Sequence, residues 1–376
     1  MNNVYRPTWL EINLANVQYN CSIAKQLVNN QVKVGAVIKA NGYGHGAVEI
    51  GKACLEAGAE FLIVATMGEA VELREAGLDA PVLILGYTPE ECYELAIRYD
   101  IRLALYDAEE AQKLHAKAMA LGKRALGHLK LDTGMSRLGM QADEEGLATA
   151  QAILTMEGIG IEGIFTHFSK ADEADKTFAH IQVERFQQFV TELERRSGVH
   201  IPIRHMAASA GIIDVPEGHF DMVRPGIMLY GYQPSSEMHH MPDLKPALTW
   251  KARLGRVKWL PAGRLIGYNG TYELKRDTLV ATVPVGYADG YNRLLSNSGY
   301  VICQGKKLPI IGKVCMDYFM VDATELPHLK AGDEVILLGE DQGVSITVPE
   351  MAAMLHTIEH EITCGISLRV PRVYLR

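Results

Sequence analysis

Eight short apolar runs alternate with helical stretches over the first two-thirds of the chain, and this alternation limits the possible folds most. The expected strands are Val34–Ile38, Phe61–Ala65, Val82–Leu85, Arg102–Leu105, His128–Leu131, Gly163–Phe165, Arg204–Met206 and Asp221–Val223. Helical patterns lie between them at Ala47–Ala57, Glu69–Ala76, Pro89–Tyr99, Ala108–Leu121, Glu144–Leu154 and Lys176–Arg196. Each helix carries the chain back across a sheet face, so successive strands pair in parallel. Eight such units predict an α/β chain that opens with a (β/α)8 barrel. A doubly wound open sheet needs a Gly-x-Gly-x-x-Gly turn after its first strand, and none stands there in that register.

The texture changes after Gln233-Pro-Ser-Ser-Glu-Met-His-His-Met-Pro-Asp243, a polar segment with prolines that suits a linker. Beyond it lie β-rich stretches at Leu248–Leu260, Leu279–Val285, Tyr300–Ile302, Leu308–Val321 and Glu334–Leu338, with one helix at Pro349–His356. The expected division is a barrel over 1–240 and a mostly antiparallel β domain over 241–376. Thr8–Leu14 also alternates like a strand and can join either domain.

A length of 376 residues fits two or three domains, and 48% hydrophobic with 22% charged residues is ordinary for a soluble enzyme. The net charge of -8 leaves no basic excess for nucleic acid or an anionic membrane. No apolar run is long enough to span a bilayer, and Met1–Glu11 has no signal-peptide core. The six cysteines form no Cys-x-x-Cys pair, which points to a reducing cytoplasm and away from zinc or disulfides.

Chemistry enters with Ala36-Val-Ile-Lys-Ala-Asn-Gly-Tyr-Gly-His-Gly46. Its apolar run delivers Lys39 from a buried strand into a glycine-rich loop. An isolated ammonium away from water is heavily penalised, and forming a Schiff base with an aldehyde cofactor removes the cost. The glycines admit close approach of a ligand, and Tyr43 can donate its hydroxyl to a phosphate. The plainer reading is a lysine that snorkels to solvent beside a flexible turn.

Active sites of barrels lie at the C-terminal ends of the strands. Unusual residues recur at those positions. Leu85 follows the third strand, and Lys130, Asp132 and Arg137 run off the fifth. His167 follows the sixth, Ser209 the seventh, and Arg224, Gly226 and Ile227 the eighth. Backbone amides and the Ser209 hydroxyl suit a phosphate. Each also has a bland reading: Ser209 as an ordinary N-cap, His167 as a satisfied structural residue, Arg224 as a rim salt-bridge partner. Arg137 and Lys130 would ordinarily be solvated, with Asp132 neutralising them.

The order of these motifs, over nearly the whole chain, resembles the alanine racemases. That resemblance implies pyridoxal 5'-phosphate (PLP) held on Lys39, with Tyr43, Leu85, His167, Ser209, Gly226 and Ile227 in the cofactor site. It further implies Arg224 on the pyridine nitrogen. Arg137 falls on the arginine that meets the substrate carboxylate, and Lys130 on the often carbamylated lysine that buttresses it. In the C-terminal third, Val285-Gly-Tyr-Ala-Asp-Gly290 matches the motif of a catalytic tyrosine, Tyr287. Val314-Cys-Met-Asp317 matches the segment whose Met316 amide binds substrate carboxylate, with Asp317 in support. Taken alone these two are a hairpin turn and a core methionine. In the family both reach into the partner subunit, so a head-to-tail homodimer with shared sites is implied.

The implied reaction is interconversion of L-alanine and D-alanine, supplying D-alanine for peptidoglycan. Racemisation needs a proton removed from one face of the α-carbon and returned to the other, so two acid–base groups must flank it. Lys39 and Tyr287 are those groups. A phenol is a poor base at neutral pH, and His167 and Arg224 are the expected cationic neighbours that favour phenolate.

Three positions depart from the family pattern. Ala208 stands where asparagine is common before the serine, Leu368 where a phosphate-reaching tyrosine is common, and Lys313 where arginine is frequent. Leu368 keeps a serine or broad-specificity racemase in play. An amino-acid decarboxylase of related architecture would place an acid, not Arg224, at the pyridine nitrogen. A non-catalytic PLP carrier would lack the C-terminal β domain.

Overall fold

The computed structural model describes residues 6–376; the first five residues of the expected signal-free N-terminus lie outside them. The chain divides into two compact units.

One unit spans Ala15–Gly42 and Gly46–Pro246. It holds the eight parallel strands of a nearly closed barrel. These are β1 (Lys33–Val37), β2 (Phe61–Val64), β3 (Val82–Ile84), β4 (Ile101–Leu105), β5 (Ala125–Asp132), β6 (Ile159–Phe165), β7 (Ile203–His205) and β8 (Met222–Val223). Their spatial order is β8-β1-β2-β3-β4-β5-β6-β7. A parallel bridge between Ala208 and Arg224 brings the last two strands together, supported by Arg224 N–H donating to the Ala207 carbonyl at 2.9 Å.

Strands β2 and β3 are buried along their whole length, as strands covered on both faces must be. That is why they stand out as unbroken runs of Val, Ile, Leu and Phe. The helices bury one stripe each. Thr177–Ser197 turns Ala179, Val183, Phe186, Phe189, Val190 and Leu193 inward and stops at Gly198, whose φ of 68° closes the helix end. The sequence reading missed Leu14–Gln26, a helix of 13 residues whose inward stripe mixes Leu14, Val17, Cys21 and Ala24 with the polar Asn20. Asn20 on that helix exchanges two hydrogen bonds with Lys245 and so holds the end of the linker segment.

The other unit gathers the N-terminal strand, Tyr43–His45 and Ala247–Arg376. Thr8–Asn13 pairs antiparallel with Leu248–Arg253 and parallel with Arg372–Leu375, and it is fixed by Trp250 Nε1 donating to the buried Thr8 hydroxyl at 2.9 Å. The remaining pairings in this unit are antiparallel. Two expected strands are split. Leu248–Leu260 breaks at Gly255. Leu308–Val321 becomes Lys306–Ile311 and Phe319–Asp322. The loop between the latter pair carries Met316 and Asp317, and closes with Cys315 N–H donating to the Tyr318 carbonyl at 2.8 Å. The helix expected at Pro349–His356 is Val348–Leu355, and a second one, Glu359–Cys364, follows it.

Among the described residues, no helix is long and apolar enough to cross a membrane.

Candidate active site

Lys39 opens a turn made of consecutive left-handed residues. Ala40, Asn41 and Gly42 have φ of 52°, 53° and 59°, and Tyr43 follows at 50°. A left-handed backbone costs about 1–2 kcal/mol at each ordinary L-residue, so the turn must be held from outside. Gly42 N–H donates to the Ile38 carbonyl at 2.8 Å, and Gly46 N–H to the Asn41 carbonyl at 2.8 Å. The Asn41 side chain accepts from Ala47 N–H at 3.0 Å. The strand-end lysine therefore stands on a built platform, not a flexible loop.

Lys130, on β5, is buried and donates to the Leu85 carbonyl at 2.8 Å. Burial first, then the charges of Arg137 and Arg224, push its amine down to about 8; Lys39 adds to that push. Asp132 does not close an ion pair with it. Instead one oxygen of Asp132 accepts the amides of Gly134, Met135 and Ser136 at 2.9, 2.9 and 3.0 Å, which shapes the loop leading to exposed Arg137. Asp132 therefore favours the charged form of Lys130 only through space, without pairing with it.

Arg224 is 2% exposed and has no carboxylate partner among its hydrogen bonds, so it is no rim residue. It donates to the Thr166 and Met206 carbonyls at 2.9 Å each and to His205 Nδ1 at 2.8 Å. A guanidinium only donates, so His205 Nδ1 accepts and its proton sits on Nε2. That proton is donated to His128 Nδ1 at 2.8 Å. Burial holds both rings neutral: His128 falls to about 3, and His205 is pushed well down too. The pair aims Arg224 without adding charge. Burial lowers Arg224 itself to about 9, and it stays cationic at neutral pH.

His167 lies 3.3 Å from Arg224 through Nδ1. Burial, then Arg224, Arg137, Lys130 and Lys39, drive its pKa to about 3. His167 is thus neutral at working pH and does not supply the positive charge expected of it. Both cations lie against the Phe165 ring, with Lys130 Nζ 5.2 Å and Arg224 Cζ 5.5 Å from its centroid.

Ser209 is not the N-cap of its short helix; Ala208 is, without any side-chain cap. The Ser209 hydroxyl reaches across to accept from Gly226 N–H at 3.0 Å and Met228 N–H at 3.3 Å. This knits the loops after β7 and β8 together at Gly226 and Ile227.

In the other unit Tyr43 is buried, its ring centroid 5.5 Å from that of His360. Burial pushes its phenol well up, so it keeps a proton to donate. Gly44 has φ of 83°, and a Cβ there would stand 2.2 Å from the Thr363 carbonyl oxygen. Only glycine fits.

The two C-terminal motifs are brought together. Tyr287 N–H donates to the Cys315 carbonyl and Ala288 N–H to the Met316 carbonyl, both at 3.0 Å. A Cβ on Gly286 would lie 2.2 Å from the Met316 oxygen, so the glycine is what lets the backbones touch. Three residues after Gly286, Asp289 is fully buried and accepts from Gly286 N–H at 3.0 Å, with Arg6 paired to its carboxylate. Asp317 pairs with Arg369 at 2.7 Å. Tyr287 and Met316 remain 43% and 53% exposed, so this unit presents them outward.

Sequence reasoning missed Glu69, His205, His128, Asp289 and Arg369 as supports. Two signals were available: Thr66-x-x-Glu69 has the capping-box spacing, and Asp289 stands inside a quoted motif.

Residues 12–234 match the family model described as alanine racemase, N-terminal domain, and residues 247–374 match alanine racemase, C-terminal domain. Among curated relatives, alanine racemase 2 of Caldanaerobacter subterraneus is 45% identical over 98% of this chain and 95% of its own. The alanine racemase of Desulforamulus reducens is 45% identical over 98% and 99%. A solved alanine racemase of Clostridium difficile has a TM-score of 0.95 at 40% identity, covering 99% of this chain and 97% of that one. One from Bartonella henselae, solved with covalently bound pyridoxal phosphate, has a TM-score of 0.86 at 29% identity, covering 98% and 99%.

Proposed function

This chain belongs to the alanine racemase family, and from that premise we propose how its barrel mouth works. It interconverts L-alanine and D-alanine. The observation that carries the site reading is electrostatic. Lys39, Arg137 and Arg224 all press on Lys130, and the nearby carboxylate of Asp132 is committed to three backbone amides. Lys130 and Arg224 are buried with no carboxylate in ion-pair contact among the described residues, and a buried cation without a paired counter-charge is costly, so such a mouth is built for anions. The phosphate of PLP and the carboxylate of alanine supply them, and the residues present fit that cofactor.

In this reading Lys39 holds the cofactor carbon, Tyr43, Ser209 and the Gly226–Ile227 backbone hold the phosphate, and His167 lies beside the ring. Leu85 lines the same mouth. Arg224 donates a hydrogen bond to the pyridine nitrogen and gives up no proton, which keeps the ring a restrained electron sink. When bound, the cofactor acidifies the α-carbon proton of the attached amino acid. Lys39 Nζ takes or returns that proton on one face, and the Tyr287 hydroxyl of a second copy acts on the other. Arg137 and the Met316 amide hold the substrate carboxylate, with Asp317 in support. The assembly is a head-to-tail homodimer, and the compartment is the cytoplasm, where D-alanine is supplied to the cell wall. The outward exposure of Tyr287 and Met316 supports the shared site, and six scattered cysteines with no Cys-x-x-Cys pair support the compartment.

Lys130 carries a pH prediction. Its folded value of about 8 lies below the ordinary 10.5, so the unfolded chain binds more protons between those values. The cofactor-free protein should therefore gain stability as pH rises through that window, by at most about 3 kcal/mol. Denaturant midpoints of wild type and Lys130→Met across the window check this. An equal rise in both would remove Lys130 as its source. The neutral amine is also the form that adds carbon dioxide, forming an N–C bond and releasing a proton. The resulting carbamate would lay negative charge against Arg137.

Substrate range rests on Leu368, which is 79% exposed. A leucine wall separates methyl from hydroxymethyl side chains by only about 1–3 kcal/mol. Circular dichroism with L-alanine, L-serine and L-lysine in parallel should show alanine preferred and serine detectable. Leu368→Tyr should lower the serine-to-alanine ratio and tighten PLP slightly, by about 1 kcal/mol for the new hydrogen bond. No serine turnover in wild type, or an unchanged ratio, would mean that other residues set the range. No loss of ellipticity from L-alanine by the PLP-loaded protein would sink the functional reading itself.

A further inference from the structure

The turn that starts at Lys39 is held from outside by one side chain the reaction does not otherwise use. Glu69 sits in the first turn of the helix Met67–Glu75, after β2. Its Oε1 accepts Ala40 N–H at 2.6 Å, and Ala40 is the residue that follows Lys39. Its Oε2 accepts Ala65 N–H at 2.8 Å and Thr66 N–H at 3.2 Å. One carboxylate thus receives three backbone amides from two adjoining barrel loops. Ala40 is also the first residue of the left-handed run, with φ of 52°.

We propose that Glu69 is the positioning residue of the attachment lysine: its carboxylate fixes the left-handed turn at Ala40 and so sets where Lys39 Nζ stands. The inference rests on the reading of Lys39 as the point of cofactor attachment. An ionised carboxylate suits this place because both its oxygens face donors. A glutamine has an acceptor on one side only, so its NH2 would meet either Ala40 N–H or the Ala65 and Thr66 amides donor to donor.

Glu69 also completes the capping box of its helix, with Glu69 N–H donating to the Thr66 hydroxyl at 3.4 Å. Thr66→Ala removes that cap and leaves the bond to Ala40 intact, so it separates a helix effect from a lysine effect. The measurements are kcat and KM for L-alanine in the holoenzyme, and the rate at which cofactor-free protein takes up pyridoxal, trapped by borohydride. Pyridoxal lacks the phosphate, so uptake reports on the lysine alone.

Glu69→Gln should lower kcat and pyridoxal uptake by about ten-fold or more, since misplacing a reacting group by ~1 Å can cost up to 10²-fold. KM should change less than kcat, and Thr66→Ala should match wild type in both. Glu69→Asp keeps the charge but shortens the reach, and it should lose uptake likewise; it carries the test if Glu69→Gln does not fold. Wild-type uptake in both Glu69 variants, or an equal loss in Thr66→Ala, would overturn the proposal. A borohydride label on another lysine of the wild-type protein would instead overturn the attachment reading beneath it.

Discussion

Lys39→Ala should abolish racemisation, and the lost activity should return when that chain is mixed with a Tyr287→Phe chain. Without Lys39 the cofactor has no covalent anchor and one face of the α-carbon has no base, so both functions of the residue vanish together. If each site takes Lys39 from one copy and Tyr287 from the other, a mixed dimer has one site carrying both lesions and one carrying neither. Two inactive parents should then give about half of the wild-type activity per mixed dimer, by this count of intact sites. The geometry that motivates the experiment lies within each unit. Lys39 is fixed on its barrel platform, while Tyr287 is turned outward from a backbone knit to Met316. Mixtures that stay inactive after proven subunit exchange would place both residues in one chain. Borohydride reduction of the holoenzyme and peptide mapping should find the label on Lys39. A label on Lys130 or Lys313 would overturn the anchor itself.

The barrel was legible because its strands are buried on both faces, so runs such as Phe61–Val64 and Val82–Ile84 carry no polar residue to hide them. The helix Leu14–Gln26 escaped because small residues and Asn20 fill its inward stripe, and its purpose is to bond Lys245, far away in sequence. Leu308–Val321 looked continuous because Val314, Cys315 and Met316 keep an apolar stretch running through the loop that carries Met316 outward. The residues matching family motifs were legible as strings, but their electrical states were not. His167 was expected to be charged and is neutral, because burial first, and then the cations that would have been its companions, expel its proton. Asp132 was expected to neutralise cations; its hydrogen bonds shape a loop, and it acts on Lys130 only through space.

The supports were the least legible part of the site. Glu69, His205 and Asp289 touch Ala40, Arg224 and Gly286, partners fixed only when the chain folds. His205 and His128 show why such residues matter. Two buried neutral rings let Arg224 be oriented by its own donors, where a carboxylate would have neutralised it. A neutralised arginine would lose the charge that favours an anion beside it. The site is thereby tuned through acceptors that carry no charge.

Tyr287→Phe should keep the fold and the bound cofactor yet lower racemisation by about 10²–10⁴-fold, the usual worth of a positioned acid–base group. Folding should survive because the turn is held by backbone and Asp289, not by the phenol: Tyr287 N–H bonds the Cys315 carbonyl, and Asp289 bonds Gly286 N–H. The loss should be unequal for the two enantiomers. Lys39 still serves one face, so exchange of the α-proton with deuterated solvent should continue from the enantiomer whose proton points to Lys39. From the other enantiomer it should fall with racemisation. His167 is neutral, so it brings no charge to the reaction. His167→Gln, which removes no charge, should therefore cost far less than Tyr287→Phe, within about ten-fold of wild type for a lost hydrogen bond of ~1 kcal/mol. Following exchange by mass spectrometry and racemisation by circular dichroism on both enantiomers separates the outcomes. Equal retention of exchange from both enantiomers would remove Tyr287 from proton transfer, and a His167→Gln loss as deep as that of Tyr287→Phe would restore a charged role to the histidine.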